Sequence, residues 1–509
     1  MSAGPGRGSG ASGEAGDRWF GGARVDALFA LASAPRTALL LDRASAWREP
    51  LEAAGVECLS GRGAATPADL VVAESRLEAD AASAAGRGVI LEGRRRGRAL
   101  AAAGFDVAHY FPLPDPAKAE VLLPLGRYRQ VRHGLDRSPP SVAWKRGRNR
   151  VVARLLGWGV APPGRIVTTV ASRPAGPPFL IAAAAPLGIP RDVDWLLSPG
   201  QGDALARGVL HLFPPGSTEP AWALKFSRVV GHSAPFDRDE RGLGMIAGVG
   251  GAAAAHAPSL VGRLVEHGRH ASVETAAGGR SLLSLLASPA PRPTKLEVTE
   301  RVAAWILELG RASALPEDDL APERRRLRDE VAGAWRNDGA DPDLVDRVGG
   351  VPAVLQHNDL GSWNVVVERD RGRGAFTVLD WEAARRAGLP LWDLWYFLQD
   401  ALAEADGVAG AGPGAVAARE EHAVRLFRGE LESSPVLFEW TRRGVADLGL
   451  PAERVGAIAT LCFLHHGLSQ AAREATLADP DLALDTAAPR IARRWLVDPA
   501  LGPGWSAWR

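Results

Sequence analysis

The stretch LQHNDLGSWNVVV, residues 355–367, limits the possible folds of this chain more than any other. It runs from a short apolar segment through a polar loop into a valine-rich strand, and the loop places Asp359 five positions before Asn364. Sixteen residues after Asn364 a second apolar strand, FTVLDWEAA, ends in Asp380. Taken singly, a loop aspartate, a turn asparagine and a strand-end aspartate are ordinary turn residues. Taken in this order, behind a strand that carries a lysine, they form a constellation.

That strand is PAWALKFSR. The chain uses arginine for nearly all of its 60 basic residues, with lysine only at 118, 145, 225 and 295, and Lys225 stands mid-strand where apolar neighbours surround it. Ahead of it, DWLLSPGQGDALARGVLHLFP reads as a strand, a glycine-rich turn with Gly200 and Gly202, and a second strand. Behind it, FDRDERGLGMIAGVGG opens a helix carrying Glu240. GRLVEHGR and ASVETAAGG read as further strands, the second leading into Glu274–Ala276, and helical patterns such as LEVTERVAAWILELGRA follow.

Phosphoryl transfer explains the combination. The transferred group is negatively charged throughout, so catalysis consists of fixing an attacking hydroxyl in line and neutralising phosphate oxygens. A carboxylate suits the hydroxyl, while a carboxamide and a second carboxylate supply the hard oxygens that magnesium prefers. On this reading Asp359 faces the acceptor and Asn364 and Asp380 hold Mg2+.

Here the sequence resembles the aminoglycoside phosphotransferase and choline kinase superfamily, which has a protein-kinase-like fold. HNDLGSWN is similar to that family's catalytic loop, VLDWEAARRAGLPLWDL to its metal strand and following turn, and ALKFSR with VETAAGGRSL to its small lobe and linker, over about residues 190 to 470. The resemblance implies Asp359 as catalytic base, Asn364 and Asp380 on magnesium, and Lys225 on the α/β phosphates of ATP with Glu240 as its partner. It further implies Gly200 and Gly202 over the phosphates, Glu274 and Ala276 beside the adenine, Asp393 supporting the loop and His357 orienting it. Asn358 departs from the family's glycine. Gly361 stands where protein serine/threonine kinases place a lysine, and no APE triplet follows Asp380, so a small-molecule hydroxyl is the expected acceptor. The alternative is a kinase-like scaffold that binds nucleotide without turnover. His465 and His466 are expected to pack and to face the surface, since adjacent helical side chains point apart.

The rest of the chain reads more coarsely. Its 509 residues allow about two to four domains. Residues 1–17 read as a disordered tail. From 18 to 135 strands such as TALLLD, DLVVAES and GVILEG alternate with Ala-rich amphipathic stretches, which predicts a Rossmann-like parallel sheet. Its layout loosely resembles class I methyltransferase domains, but RASAW follows TALLLD where a cofactor site needs a glycine-rich turn, so a degenerate scaffold is expected. The basic cluster GRRRGR, 93–98, reads as a solvated helix start. A connector, 136–165, precedes a kinase-like small lobe at 166–280 and a helical large lobe at 281–509. The expected fold class is therefore α/β plus α+β.

A net charge of +1 gives no support to nucleic-acid or membrane partners, and two distant cysteines, Cys58 and Cys462, fit a reduced cytoplasm. The apolar run VDALFALASAPR carries Asp26 inside it, which predicts a packed helix in place of a leader peptide. Oligomeric state is not legible.

Overall fold

A computed structural model describes residues 26–41, 44–59, 68–113, 119–137, 151–199, 205–368, 375–408, 414–477 and 486–509. Gly200, Gly202, the 1–17 tail and residues 138–150 of the connector lie outside the described residues.

Among the described residues, twelve strands form one sheet. They are β1 Thr37–Leu40, β2 Glu57–Leu59, β3 Ala68–Glu74, β4 Ala85–Gly93, β5 Asp106–Leu113, β6 Val121–Pro124, β7 Val167–Ser172, β8 Asp194–Ser198, β9 Gly208–Phe213, β10 Trp222–Phe226, β11 Leu260–Glu266 and β12 Arg269–Thr275. Their order is β11-β12-β10-β9-β8-β6-β5-β7-β4-β3-β1-β2. The end built from β2, β1, β3 and β4 is parallel throughout. There DLVVA and GVILE are covered on both faces, as near-continuous apolar runs require.

The parallel character stops at β4. Strand β7 runs antiparallel between β4 and β5, and β5 pairs antiparallel with β6. A uniformly parallel sheet over 18–135 is therefore not what forms: four strands are parallel and the next two are not. Strand β7 also corrects the boundary at 166, since VTTVAS completes the N-terminal part of the sheet and the small-lobe strands begin with β8. Its six residues are all buried, so a position between two neighbours satisfies both its faces and its edges.

Strand β6 meets β8 at Leu122 and Leu197, which joins the N-terminal part to the antiparallel small lobe β8–β12. One apolar core runs beneath the junction. Phe29 packs on Phe226 with ring centroids 4.2 Å apart, alongside Leu70, Ile90, Phe179 and Leu224. Asp26 and Arg228, both wholly buried, form an ion pair at 3.1 Å across it. The aspartate that interrupts the apolar run at the N-terminus is thus tied to the segment that leaves β10.

Helix α1, Ala234–Val249, packs on the small lobe, and the large lobe is helical, built on α2 Arg292–Ala312, α3 Trp392–Ala405 and α4 Val455–Leu477. Its core is rich in aromatic residues, with Trp381, Trp392, Trp395, Trp495 and Trp505 among the largest fully buried side chains. Within it lie the short strands β13 Arg280–Ser281, β14 Val354–Gln356, β15 Val365–Val367, β16 Phe376–Val378 and β17 Arg385–Gly388. Among the described residues no helix is long and apolar enough to cross a membrane.

Candidate active site

The polar loop is held from below. Asp393, buried in the first turn of α3, accepts the backbone N–H of His357 at 2.6 Å and of Asn358 at 2.9 Å. Burial raises its carboxyl above the ordinary value, with His357 and these two bonds opposing. The ring of His357 reaches the carbonyl of Leu379 at 2.8 Å, tying the loop to the residue before Asp380. Asn358 sits at φ 65°, the left-handed region, where glycine is the easy residue and asparagine the most readily tolerated alternative. The loop therefore keeps its shape despite the missing glycine.

Asn364 closes the loop on Asp359. Its Nδ2 donates to the Asp359 carbonyl at 2.8 Å and to the Asp359 carboxylate at 3.3 Å, so its Oδ1 is the atom left to meet a cation. Strands β15 and β16 pair with Val365 opposite Val378, and the Leu379 N–H donates to the Asn364 carbonyl at 2.8 Å. That register brings Asn364 to the strand end that carries Asp380. Asp380 itself takes φ 67°, a conformation that aspartate accepts better than most side chains.

From the other lobe comes Lys225, and its partners differ from the expected one. The ammonium lies 2.7 Å from Asp239, 2.9 Å from Glu274 and 3.8 Å from Asp380. Glu240 points away and pairs with Arg263 at 2.8 Å on the half-exposed side of α1. Helical geometry explains the correction: Phe236, Asp239, Leu243 and Ile246 share the buried stripe of α1, and a residue one position on turns about 100° out of it. Burial alone would lower the pKa of Lys225, but Glu274, Asp239 and Asp380 together raise it above the ordinary lysine value.

Glu274 is the second correction. It belongs to β12 and not to the lobe linker, and its side chain is buried against Lys225. Lys225 lies opposite Ser272, so Glu274, two residues on, shares its face of the sheet. Burial pushes the Glu274 carboxyl up to about 7, Lys225 opposing and Asp239 adding to the rise. Ala276 does lie in the linker, but its N–H is spent on the Ala221 carbonyl at 2.9 Å. Gly279 brings that linker onto β15, where a β-carbon would overlap the Val367 carbonyl.

Two residues that sequence reading passed over complete the site. Arg207, at the head of β9, donates to Asp380 at 2.8 Å and to Asp239 at 3.0 Å, with Glu382 at 3.4 Å. Burial opposes its charge, yet Asp380, Glu382, Asp239 and Glu274 raise its pKa further above the ordinary arginine value. Asp239 was visible in the spacing of the apolar residues of α1. Arg207 had no such signal, because its importance comes from contacts with residues 32 and 173 positions away. Asp380 is held below its ordinary value: burial would raise it, but Lys225, Arg207 and His357 outweigh that.

The acidic groups and cations meet because α1 presses on the turn after Asp380. Gly242 lies against Trp381 so closely that a β-carbon would overlap the Trp381 carbonyl. The donor set suits magnesium, which takes one or two protein oxygens and fills the remainder of its shell with water and phosphate. Asn364 and Asp380 carry two oxygens of the kind that could hold it. His465 and His466 are both buried: His465 lies 2.9 Å from Glu330, and His466 accepts the Trp392 indole N–H at 2.9 Å. Burial, then His465, holds His466 well below the ordinary histidine range.

Residues 210–427 match the phosphotransferase enzyme family, APH. No curated protein matches the chain. Among solved structures, an aminoglycoside-3'-phosphotransferase of type VIII is 19% identical over 52% of this chain and 98% of its own, with a TM-score of 0.29. WbdD is 12% identical over 81% of this chain and 84% of its own, with a TM-score of 0.27. The family match contains Lys225, Asp239, Glu274, Asp359, Asn364 and Asp380, and leaves Arg207 and the parallel strands outside it. Over residues 210–427 the chain thus carries the signature of the phosphotransferase enzyme family, in line with the aminoglycoside phosphotransferase and choline kinase resemblance of its catalytic loop.

Proposed function

We propose that the protein is an ATP- and Mg2+-dependent phosphotransferase that moves the γ-phosphate to a hydroxyl of a small molecule such as a sugar, an aminoglycoside or an amino alcohol. The observation that carries this reading is the meeting of Lys225 with Asp380 at 3.8 Å, beside the loop in which Asn364 anchors Asp359. Asp359 accepts the proton of the attacking hydroxyl as the new P–O bond forms and the bond to the β-phosphate oxygen breaks, releasing ADP. Lys225, braced by Asp239 and Glu274, balances the α/β phosphate charge. Asn364 and Asp380 would hold magnesium, which would supply positive charge to the phosphate oxygens. Asp393 and His357 keep the loop in place.

A non-catalytic nucleotide-binding scaffold is the second reading, and the contact of Arg207 with Asp380 favours it, since a cation already stands on the proposed metal carboxylate. The readings separate in a screen of purified protein with MgATP against a library of hydroxyl compounds. Phosphorylated product from any of them supports the enzyme, whereas tight ATP binding with no product from any member supports the scaffold.

A further inference from the structure

Arg207 stands on the surface that a metal–nucleotide complex has to use. Residue 207 precedes β9, in which Val209 lies opposite Lys225. Side chains two apart on a strand share a face, so Arg207 and Lys225 point into the same space. Gly208 sets the approach, because a β-carbon there would overlap the Phe226 ring, so β9 can lie this close over β10 only with glycine at that point. The guanidinium is then clamped by Asp380, Asp239 and Glu382, with its side chain only 12% exposed. Three carboxylates, one from helix α1 and two from the turn that follows β16, converge on one arginine. Asp239 has Lys225 as a second partner and Glu382 has Arg238 at 3.2 Å, while Arg207 is the closer of the two cations on Asp380, Lys225 being 3.8 Å away.

We propose that Arg207 is a positioning residue that competes with the divalent cation for Asp380: metal binding at Asp380 requires the guanidinium to leave the Oδ1 that it holds. This inference rests on the reading of Asp380 as the metal carboxylate. Two charges of the same sign within about 4 Å repel strongly at the partly buried dielectric of such a site, so metal and guanidinium do not share one carboxylate oxygen. Asp239 and Glu382 give the displaced guanidinium a resting place within its present reach. The device makes the protein demand more metal than its two oxygen ligands alone would set, and it keeps Asp380 paired when no metal is there.

The test is Mn2+ binding, followed by electron paramagnetic resonance of the full-length protein without nucleotide. Removing the competing charge in Arg207→Gln is expected to tighten Mn2+ binding by about tenfold. Arg207→Lys, which keeps a cation but loses the planar fork, is expected to fall between that variant and the wild type. It also serves if Arg207→Gln fails to fold. Asp380→Asn is expected to abolish the site in either background. Mn2+ affinity no tighter than wild type in both Arg207 variants overturns the proposal while leaving Asp380 as the metal carboxylate. Mn2+ binding that survives Asp380→Asn unchanged, or is absent from every protein tested, overturns the metal reading and the proposal with it.

Discussion

At Lys225 the chemistry turns on shape as much as charge. Its compact ammonium fits between Asp239 and Glu274, whereas the planar fork of arginine cannot occupy that space without moving a partner. Lys225→Arg is expected to fold normally and to lose about 100- to 1,000-fold in turnover, the usual scale for removing one preorganised charge contact. Asp239→Asn should follow in the same direction, while Glu240→Gln should stay within about twofold of wild type, as surface changes do. A large loss in Glu240→Gln with none in Asp239→Asn, measured by steady-state kinetics, would restore Glu240 as the partner. Sequence reading singled out Asp359, Asn364 and Asp380 by their spacing in a short motif and Lys225 by its rarity and its place mid-strand, and the fold brings Lys225 within 3.8 Å of Asp380. It missed Asp239 by one residue because helix phase, and not motif spacing, decides which of two adjacent carboxylates faces inward. Glu274 adds a pH dependence. Burial pushes its carboxyl up from an ordinary 4.5 to about 7, so the folded state binds the proton more tightly. Its contribution to stability is complete below about 4.5 and is lost as pH rises through about 7. The melting temperature should therefore decline over that window and decline less in Glu274→Gln; equal slopes would show that Glu274 is ionised throughout.

Among the elements, the loop and strands of the large lobe were legible in LQHNDLGSWNVVV and FTVLDWEAA because local turn chemistry and apolar runs define them. Strand β7 was not. VTTVAS reads as a strand, but nothing within it says that its neighbours are β4 and β5, since sheet order is set by long-range packing. The N-terminal segment teaches the same lesson through Asp26. In sequence this aspartate only argued against a leader peptide, whereas in the fold it is the buried partner of Arg228, three residues beyond Lys225. Removing one member of a buried pair leaves the other charged and unpaired, at a cost of about 3–5 kcal/mol. Asp26→Ala should therefore lower unfolding stability by that amount in denaturant titrations. A loss under about 1 kcal/mol, the scale of exposed pairs, would mean that water reaches Arg228 in solution.

Across the whole molecule, the N-terminal strands and the small lobe are one twelve-stranded sheet over a shared core, so whatever orients the parallel end also orients β8 to β10. The large lobe meets that sheet where Gly242 touches the turn after Asp380 and where Gly279 crosses β15, which sets Lys225 against Asp380 across the cleft. Nucleotide placement in the proposed reaction depends on this meeting, and Asp359 is the group proposed to take the acceptor's proton. The direct measurement pairs transfer with nucleotide binding, comparing wild type and Asp359→Ala for phosphate transfer to the best acceptor from the hydroxyl library and for MgATP affinity by calorimetry. Asp359→Ala is expected to lose about 100- to 10,000-fold in transfer, the range for a positioned general base, with MgATP affinity essentially unchanged. Full transfer activity in Asp359→Ala would contradict the assignment of this residue and the mechanism built on it.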